Sequence, residues 1–216
     1  MGLAPEYGDG RNPSGVNSIF KGLNWLIKGS GCYNASMRIL GIDPGLGRVG
    51  FGLLEIVTSS TGVSGQFGSS QWGIIATTKD KSDGARLQEI HDDLTELIEQ
   101  LRPDVVSVER LFYFRNATTL VPVAQARGVI LMVINRFGLP MYEYTPMQVK
   151  QAITGYGKSE KAEVQEMLVD LLNLPKKPTP DDAADGLALA VCHFNHVGRL
   201  QLMQAEADQS LLVKTV

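Results

Sequence analysis

The pattern of apolar and polar positions divides the chain near residue 37. Downstream of that point, Arg38-Ile39-Leu40-Gly41-Ile42-Asp43 is a short apolar run ending on an acid, a second run covers Val49 to Val57, and a third lies near Trp72 to Thr77. Runs of this length, separated by Gly, Ser and Pro, predict strands, and three in succession predict a meander. From Ala85 to Leu101 the period changes: Leu87, Ile90, Leu94, Leu97, Ile98 and Leu101 recur at helical spacing, with Asp83 as the expected cap and Pro103 as the terminator. Val105 to Val108 is then an apolar run closing on Glu109, the pattern of a strand buried on both faces of a partly parallel sheet.

Further on, helices are expected over residues 116–137, 146–153, 159–172 and 180–196, with a short strand at 141–144 after the first of them. Ser159 is read as the cap of the third, with Glu160 and Glu163 in its first turns. Three strands, then alternating helix and strand, then helices describe an α/β domain with a five-stranded mixed sheet flanked by helices. The domain is placed at residues 37–197, with 198–216 as a C-terminal tail. Residues 1–36, rich in Gly, Asn and Ser, read as an N-terminal extension that is either disordered or a start-site artefact, since Met37 is itself a candidate start. The extension carries a single arginine, Arg11, and the acids Glu6 and Asp9, which is not the make-up of a transit peptide.

Composition narrows the class. With 44% apolar and 20% charged residues the chain has the balance of a folded, water-soluble protein, and no apolar run is long enough to cross a bilayer. Its two cysteines, Cys32 and Cys192, match no disulfide or metal-ligand spacing, so a reducing cytoplasm is expected. A net charge of -3 argues against nucleic-acid binding by overall charge. The charge is nevertheless uneven: Met37 to Glu109 holds six Lys/Arg against eleven Asp/Glu, net -5, whereas Arg110 to Lys161 holds seven against two, net +5.

Four carboxylates carry the candidate chemistry. Asp43, followed by the turn pair Pro44-Gly45, and Glu109 both stand at strand tips, where the crevice of an open α/β sheet lies. Asp182 and Asp185 are three apart near a helix start and share a face, either as a charge-capped terminus or as part of the same site. An all-oxygen set suits Mg²⁺ or Mn²⁺ rather than zinc. Two such ions about 4 Å apart serve phosphoryl chemistry, one activating water and the other stabilising the leaving oxygen. Gly45-Leu46-Gly47-Arg48-Val49-Gly50 matches a dinucleotide fingerprint in letters, but a strand follows it where that motif needs a helix, so a hairpin explains the glycines better.

In order and spacing, Gly41-Ile42-Asp43-Pro44-Gly45, Val108-Glu109-Arg110-Leu111-Phe112, Ala124-Gln125-Ala126-Arg127-Gly128-Val129 and Asp182-Ala183-Ala184-Asp185 resemble the RuvC family of crossover-junction endodeoxyribonucleases. The resemblance implies a ribonuclease-H-like fold and a homodimer that resolves Holliday junctions in recombination and repair. It implies symmetric, Mg²⁺-dependent nicks that leave 5′-phosphate and 3′-hydroxyl ends, with two ions per site and Mn²⁺ as a substitute. The implied partners are four-way junction DNA and the RuvA and RuvB branch-migration complex, with no membrane. On that pattern Asp43, Glu109, Asp182 and Asp185 match the metal-binding acids, Lys150 and Lys161 match basic positions near the DNA backbone, and Phe112 matches an aromatic near the junction centre. Arg115 and Lys158 complete the expected DNA-binding set, Lys158 as an addition to the family pattern within Tyr156-Gly157-Lys158.

Three further questions come from the residues themselves. Asp181 beside Asp182 competes for the metal role, and the spacing to Asp185 favours Asp182. Leu120, Val123, Val129, Ile130, Val133 and Ile134 are too many apolar residues for one core-facing stripe, so this helix is either a dimer surface or wholly buried in the monomer. A sugar-kinase or actin-like ATPase fits the Asp-Pro-Gly turn weakly and lacks a second phosphate loop, and a catalytically dead junction-binding module is hard to square with four acids.

Overall fold

The computed structural model describes residues 10–11, 36–58, 65–111 and 117–213. Among them the strands are β1 (Gly10–Arg11), β2 (Ser36–Asp43), β3 (Arg48–Thr58), β4 (Gly65–Ala76), β5 (Val105–Glu109) and β6 (Met141–Tyr144), in the spatial order β1-β4-β3-β2-β5-β6. β4, β3 and β2 form the expected antiparallel meander, and β5 and β6 extend it in parallel. The five expected strands are therefore present, and the N-terminal extension adds a sixth of two residues, paired antiparallel with Ser69 and Ser70 of β4.

Helices cover both faces: α1 (Asp83–Leu101), α2 (Ala117–Arg136), α3 (Pro146–Thr154), α4 (Lys161–Leu172) and α5 (Asp181–Val213). On β2 the pleat sends Leu40 and Ile42 into one core with residues of α1 and α2, while Ile39 joins the opposite core with α3, α4 and α5. Such two-sided burial explains why β2 and β5 read as continuous apolar runs rather than as alternating ones. No helix among the described residues is long and apolar enough to cross a membrane.

Several local expectations are corrected. Ser82, not Asp83, caps α1, its hydroxyl accepting the Ala85 N–H at 3.3 Å. Ser159 does not cap α4: it is buried with its Oγ 2.8 Å from Thr154 Oγ1, and the helix starts two residues later, where the Glu163 carboxylate accepts the Glu160 N–H at 2.9 Å. α5 does not stop near His196 but runs for 33 residues to Val213, because no Gly or Pro interrupts residues 199–213. On α2, Ala126, Ile130, Val133 and Ile134 belong to the monomer's own core, so they are not partner surface; Val121 and Met132 are large apolar residues exposed on that helix. Arg127, within the motif Ala124-Gln125-Ala126-Arg127-Gly128-Val129, pairs with Glu143 and so ties α2 to the β6 edge.

How α5 lies on the sheet decides where its acids sit. A methyl group on Gly41 would overlap the Gly186 carbonyl, one on Gly50 the Asp182 carbonyl, and one on Gly52 the Leu187 backbone. Gly186 faces them in turn, its missing Cβ 2.6 Å from Phe51 Cα. Glycine on both sides therefore lets helix backbone touch strand backbone. Gly50, the last glycine of the fingerprint-like string, serves this docking rather than the hairpin turn.

Candidate active site

Asp43 is the last residue of β2 and Glu109 the last of β5. The two strands are parallel neighbours, with Ile42 opposite Val108, so the next residue on each places a carboxylate at the same end of the sheet. Asp43 also pairs with Gly50 of β3, the glycine on which the Asp182 backbone rests. The glycine contacts thus deliver the first turn of α5, with Asp182 and Asp185, to the tip that carries Asp43 and Glu109. All four acids singled out in the sequence converge.

Their electrostatics follow from crowding in a largely buried place. Burial, then repulsion from Glu109, Asp185 and Asp182, pushes the Asp43 carboxyl up to about 8, with Lys161 pulling the other way. Burial and then Asp185 push Glu109 up to about 7, again opposed by Lys161. Asp185 is raised by burial although Lys161 donates to it. Neither the Asp43 nor the Glu109 carboxylate has a hydrogen-bond or ion-pair partner among the described residues. Asp181 differs: it is exposed, accepts from Gln165 Nε2 at 3.1 Å, and is held below the usual carboxylate range by that bond and by Lys161. The geometry therefore favours Asp182 over Asp181 as the fourth acid.

The basic residues distribute less simply. Lys161, expected near the DNA backbone, points into the acids, with Nζ 2.8 Å from Asp185 Oδ2 and 3.7 Å from Asp181 Oδ2. Lys150 donates to the Ser159 carbonyl at 2.6 Å, bracing the loop between α3 and α4. Lys158 is exposed in that loop. Phe112 and Arg115 lie outside the described residues, as do the aromatic neighbours Tyr113 and Phe114. Arg48, which the sequence reading did not single out, reaches Asp182 at 3.5 Å. The short connection from β2 to β3 returns the chain to the same tip at residue 48, and this hairpin was the available signal. His193 is buried, bonded through Nδ1 to the Tyr144 hydroxyl at 2.8 Å and packed against the tilted ring of Tyr142, so it is a packing residue rather than a site residue.

Does this set suit a divalent cation? Its donors are carboxylate oxygens, and two of the carboxylates, half-buried at the strand tips, have no compensating partner among the described residues, a situation that a bound cation relieves. In donor chemistry and charge the residues fit Mg²⁺ or Mn²⁺. As the side chains stand, however, no three His, Cys, Asp or Glu among the described residues are grouped to hold a metal ion. Two of the four acids are turned instead toward Arg48 and Lys161.

Comparisons with known proteins bear on this arrangement. The sequence profile of the family described as crossover junction endodeoxyribonuclease RuvC matches residues 39–193. A RuvC from Petrotoga mobilis is 48% identical over 159 residues, covering 74% of this chain and 94% of that protein. One from Thermomicrobium roseum is 45% identical over 166 residues, covering 77% and 98%. Among solved structures, Thermus thermophilus RuvC aligns with a TM-score of 0.65 at 32% identity over 74% of this chain and 95% of that one. The same protein in complex with a Holliday junction substrate aligns at 0.62, with 29% identity over 74% and 94%. The yeast mitochondrial Holliday junction resolvase Ydc2 aligns at 0.54 with 14% identity over 83% and 88%, a likeness of fold alone.

Proposed function

The chain belongs to the RuvC family and has its ribonuclease-H-like fold; on that premise we propose that it is an endonuclease that resolves four-way DNA junctions by paired, metal-dependent nicks. The observation that carries the proposal is the convergence of Asp43, Glu109, Asp182 and Asp185 at one end of the β2–β5 pair. A sugar-kinase or actin-like ATPase reading falls with the family assignment.

These four carboxylates would hold Mg²⁺, with Mn²⁺ as an alternative and two ions per site, which when bound supplies activation of water and stabilisation of the departing oxygen. In each nick a water oxygen bonds to phosphorus and the bond to the 3′ oxygen breaks. That oxygen keeps the electron pair and takes a proton, leaving a 3′-hydroxyl and a 5′-phosphate. The protein's own groups set the stage. Burial of Asp43 and Glu109 keeps their charges poorly hydrated, so electrostatic interactions there are strong. Lys158 on its braced loop, with Lys150 and Arg115, offers positive charge to the backbone of either arm, whatever its sequence. Phe112 follows Glu109 by three residues and supplies an aromatic face for a base at the crossover.

Resolution needs two nicks in strands of like polarity, and one set of four acids makes one. A two-fold homodimer presents two identical sets to two equivalent strands. Val121 and Met132, 60% and 55% exposed on α2, support that helix as the contact. RuvA and RuvB would be the partners that present the junction, in the cytoplasm. Incubating a synthetic four-way junction with the protein, with and without Mg²⁺, tests the proposal: symmetric nicks are expected from the wild type with Mg²⁺ only, and none from Asp43→Asn. Near-normal cleavage by Asp43→Asn would remove the mechanism, and sedimentation as a monomer on junction DNA, with both strands cut in one encounter, would remove the symmetric dimer.

A further inference from the structure

The acids converge, yet they are not grouped to hold a cation, and the reason is visible in their partners. Asp182 faces Arg48 at the start of β3, and Asp185 faces Lys161 at the start of α4. The two cations approach α5 from separate elements, Arg48 taking Asp182 and Lys161 taking Asp185 at 2.8 Å while also standing 3.7 Å from Asp181. Asp43 and Glu109, on the strands, are left without a direct partner. Arg48 is 60% exposed and Lys161 49%, so both ammonium and guanidinium groups retain water on one side.

Magnitudes favour exchange. An ion pair exposed to this degree contributes little, typically about fivefold or less in an equilibrium constant. A doubly charged ion among four carboxylates, two of them half-buried and unpaired, gains more than either monovalent partner loses. Lysine and arginine also keep their charge on release and can turn outward on long, flexible stems.

We infer that Arg48 and Lys161 are exchangeable counter-ions of the acid cluster, holding Asp182 and Asp185 while no divalent cation is bound and giving them up when one enters. This rests on the metal-dependent reading above and assigns to both residues a task other than contact with the DNA backbone. It has a thermodynamic consequence: each cation competes with the metal, so removing it tightens metal binding, whereas a residue that helps to build the metal site would weaken it when removed.

Titrating the DNA-free protein with Mg²⁺ alone, and following its melting temperature, reads this competition without any cleavage. Lys161→Met should melt lower than wild type in a chelator and respond to Mg²⁺ at a midpoint about two- to fivefold lower, the range expected for a half-exposed pair. Arg48→Met should move the midpoint the same way, and Lys161→Arg should restore it to the wild-type value. Lys177→Met removes a charge that acts on Asp181 without pairing with Asp182 or Asp185, and should leave the midpoint in place. An unchanged or higher midpoint for Lys161→Met overturns the inference, as does an equal decrease for Lys177→Met, which would mark a general field effect. Absence of any Mg²⁺ response in the wild type would instead remove the metal reading on which it stands.

Discussion

Asp43→Asn removes one half-buried ionisable carboxyl and should stabilise the metal-free protein. In the unfolded chain the Asp43 carboxyl ionises near 3.8, and in the fold only at about 8, through burial and three acidic neighbours. Below the first value both states are protonated and folding is not opposed. As pH rises between the two, the unfolded chain loses its proton first, so stability falls by ~1.4 kcal/mol per pH unit. At about pH 7.5 that amounts to a ceiling of ~5 kcal/mol. Glu109 and Asp185 compete for the same protons, so about half of it is the working value. Asparagine is neutral throughout and escapes the penalty. For a domain of this size a gain of ~2.5 kcal/mol raises the melting temperature by about 5–10 °C. The assay is thermal melting in a chelator at about pH 7.5 and again at about pH 4.5, where the gap should nearly close. A variant that melts at or below wild type at the higher pH would show that the Asp43 carboxylate is already compensated in the fold, and would refute the reasoning.

Other substitutions probe how the site is held. In Gly186→Ala, better helix propensity offers about 1 kcal/mol, but the new methyl carbon would stand 2.6 Å from Phe51 Cα, and overpacking of about 1–3 kcal/mol wins; denaturant unfolding should show a net loss, and junction cleavage should fall more than junction binding as α5 shifts. Lys150→Ala should lower both melting temperature and junction affinity, because Lys150 braces the Ser159 carbonyl, whereas Lys158→Ala should lower affinity alone and reduce the salt slope by about one; equal melting losses for the two would contradict the bracing role. Tyr144→Phe leaves buried His193 without its hydroxyl partner and should cost about 1–3 kcal/mol in denaturant unfolding, with no change in the cleavage rate of the folded protein.

The fold was legible where sequence period and burial coincide. β2 and β5 read correctly because both of their faces are covered, and α1 because its stripe of Ile90, Leu94, Leu97, Ile98 and Leu101 is the buried one. Helix ends were less legible, since capping depends on which hydroxyl is free: Ser159 has the right residue type, but tertiary contact with Thr154 takes it away. The two-residue β1 carries no periodicity to detect, being only a short pairing with the edge of β4. On α2 the apolar surplus was real, but most of it turned inward.

Within the site, acids and bases differ in legibility for a physical reason. A carboxylate at a strand tip has a short side chain, so backbone position nearly fixes where its oxygens lie, and Asp43 and Glu109 could be placed from strand ends, whereas the three-residue spacing of Asp182 and Asp185 left a capping role open and the family resemblance joined them to the site. Lysine and arginine reach several ångströms along flexible stems, and sequence position does not say which acid, carbonyl or phosphate they meet. Lys150, Lys161 and Arg48 accordingly found a carbonyl and two carboxylates. Glycines stand between these cases. Gly41, Gly50 and Gly52 fall on alternate positions of adjacent strands, and opposite Gly186 they form the contact that carries α5 to the strand tips. Gly50, the last glycine of a string that matched a dinucleotide fingerprint only in letters, therefore serves the site indirectly: with Gly41 and Gly52 it lets a helix approach closely enough for its acids to join those of the sheet.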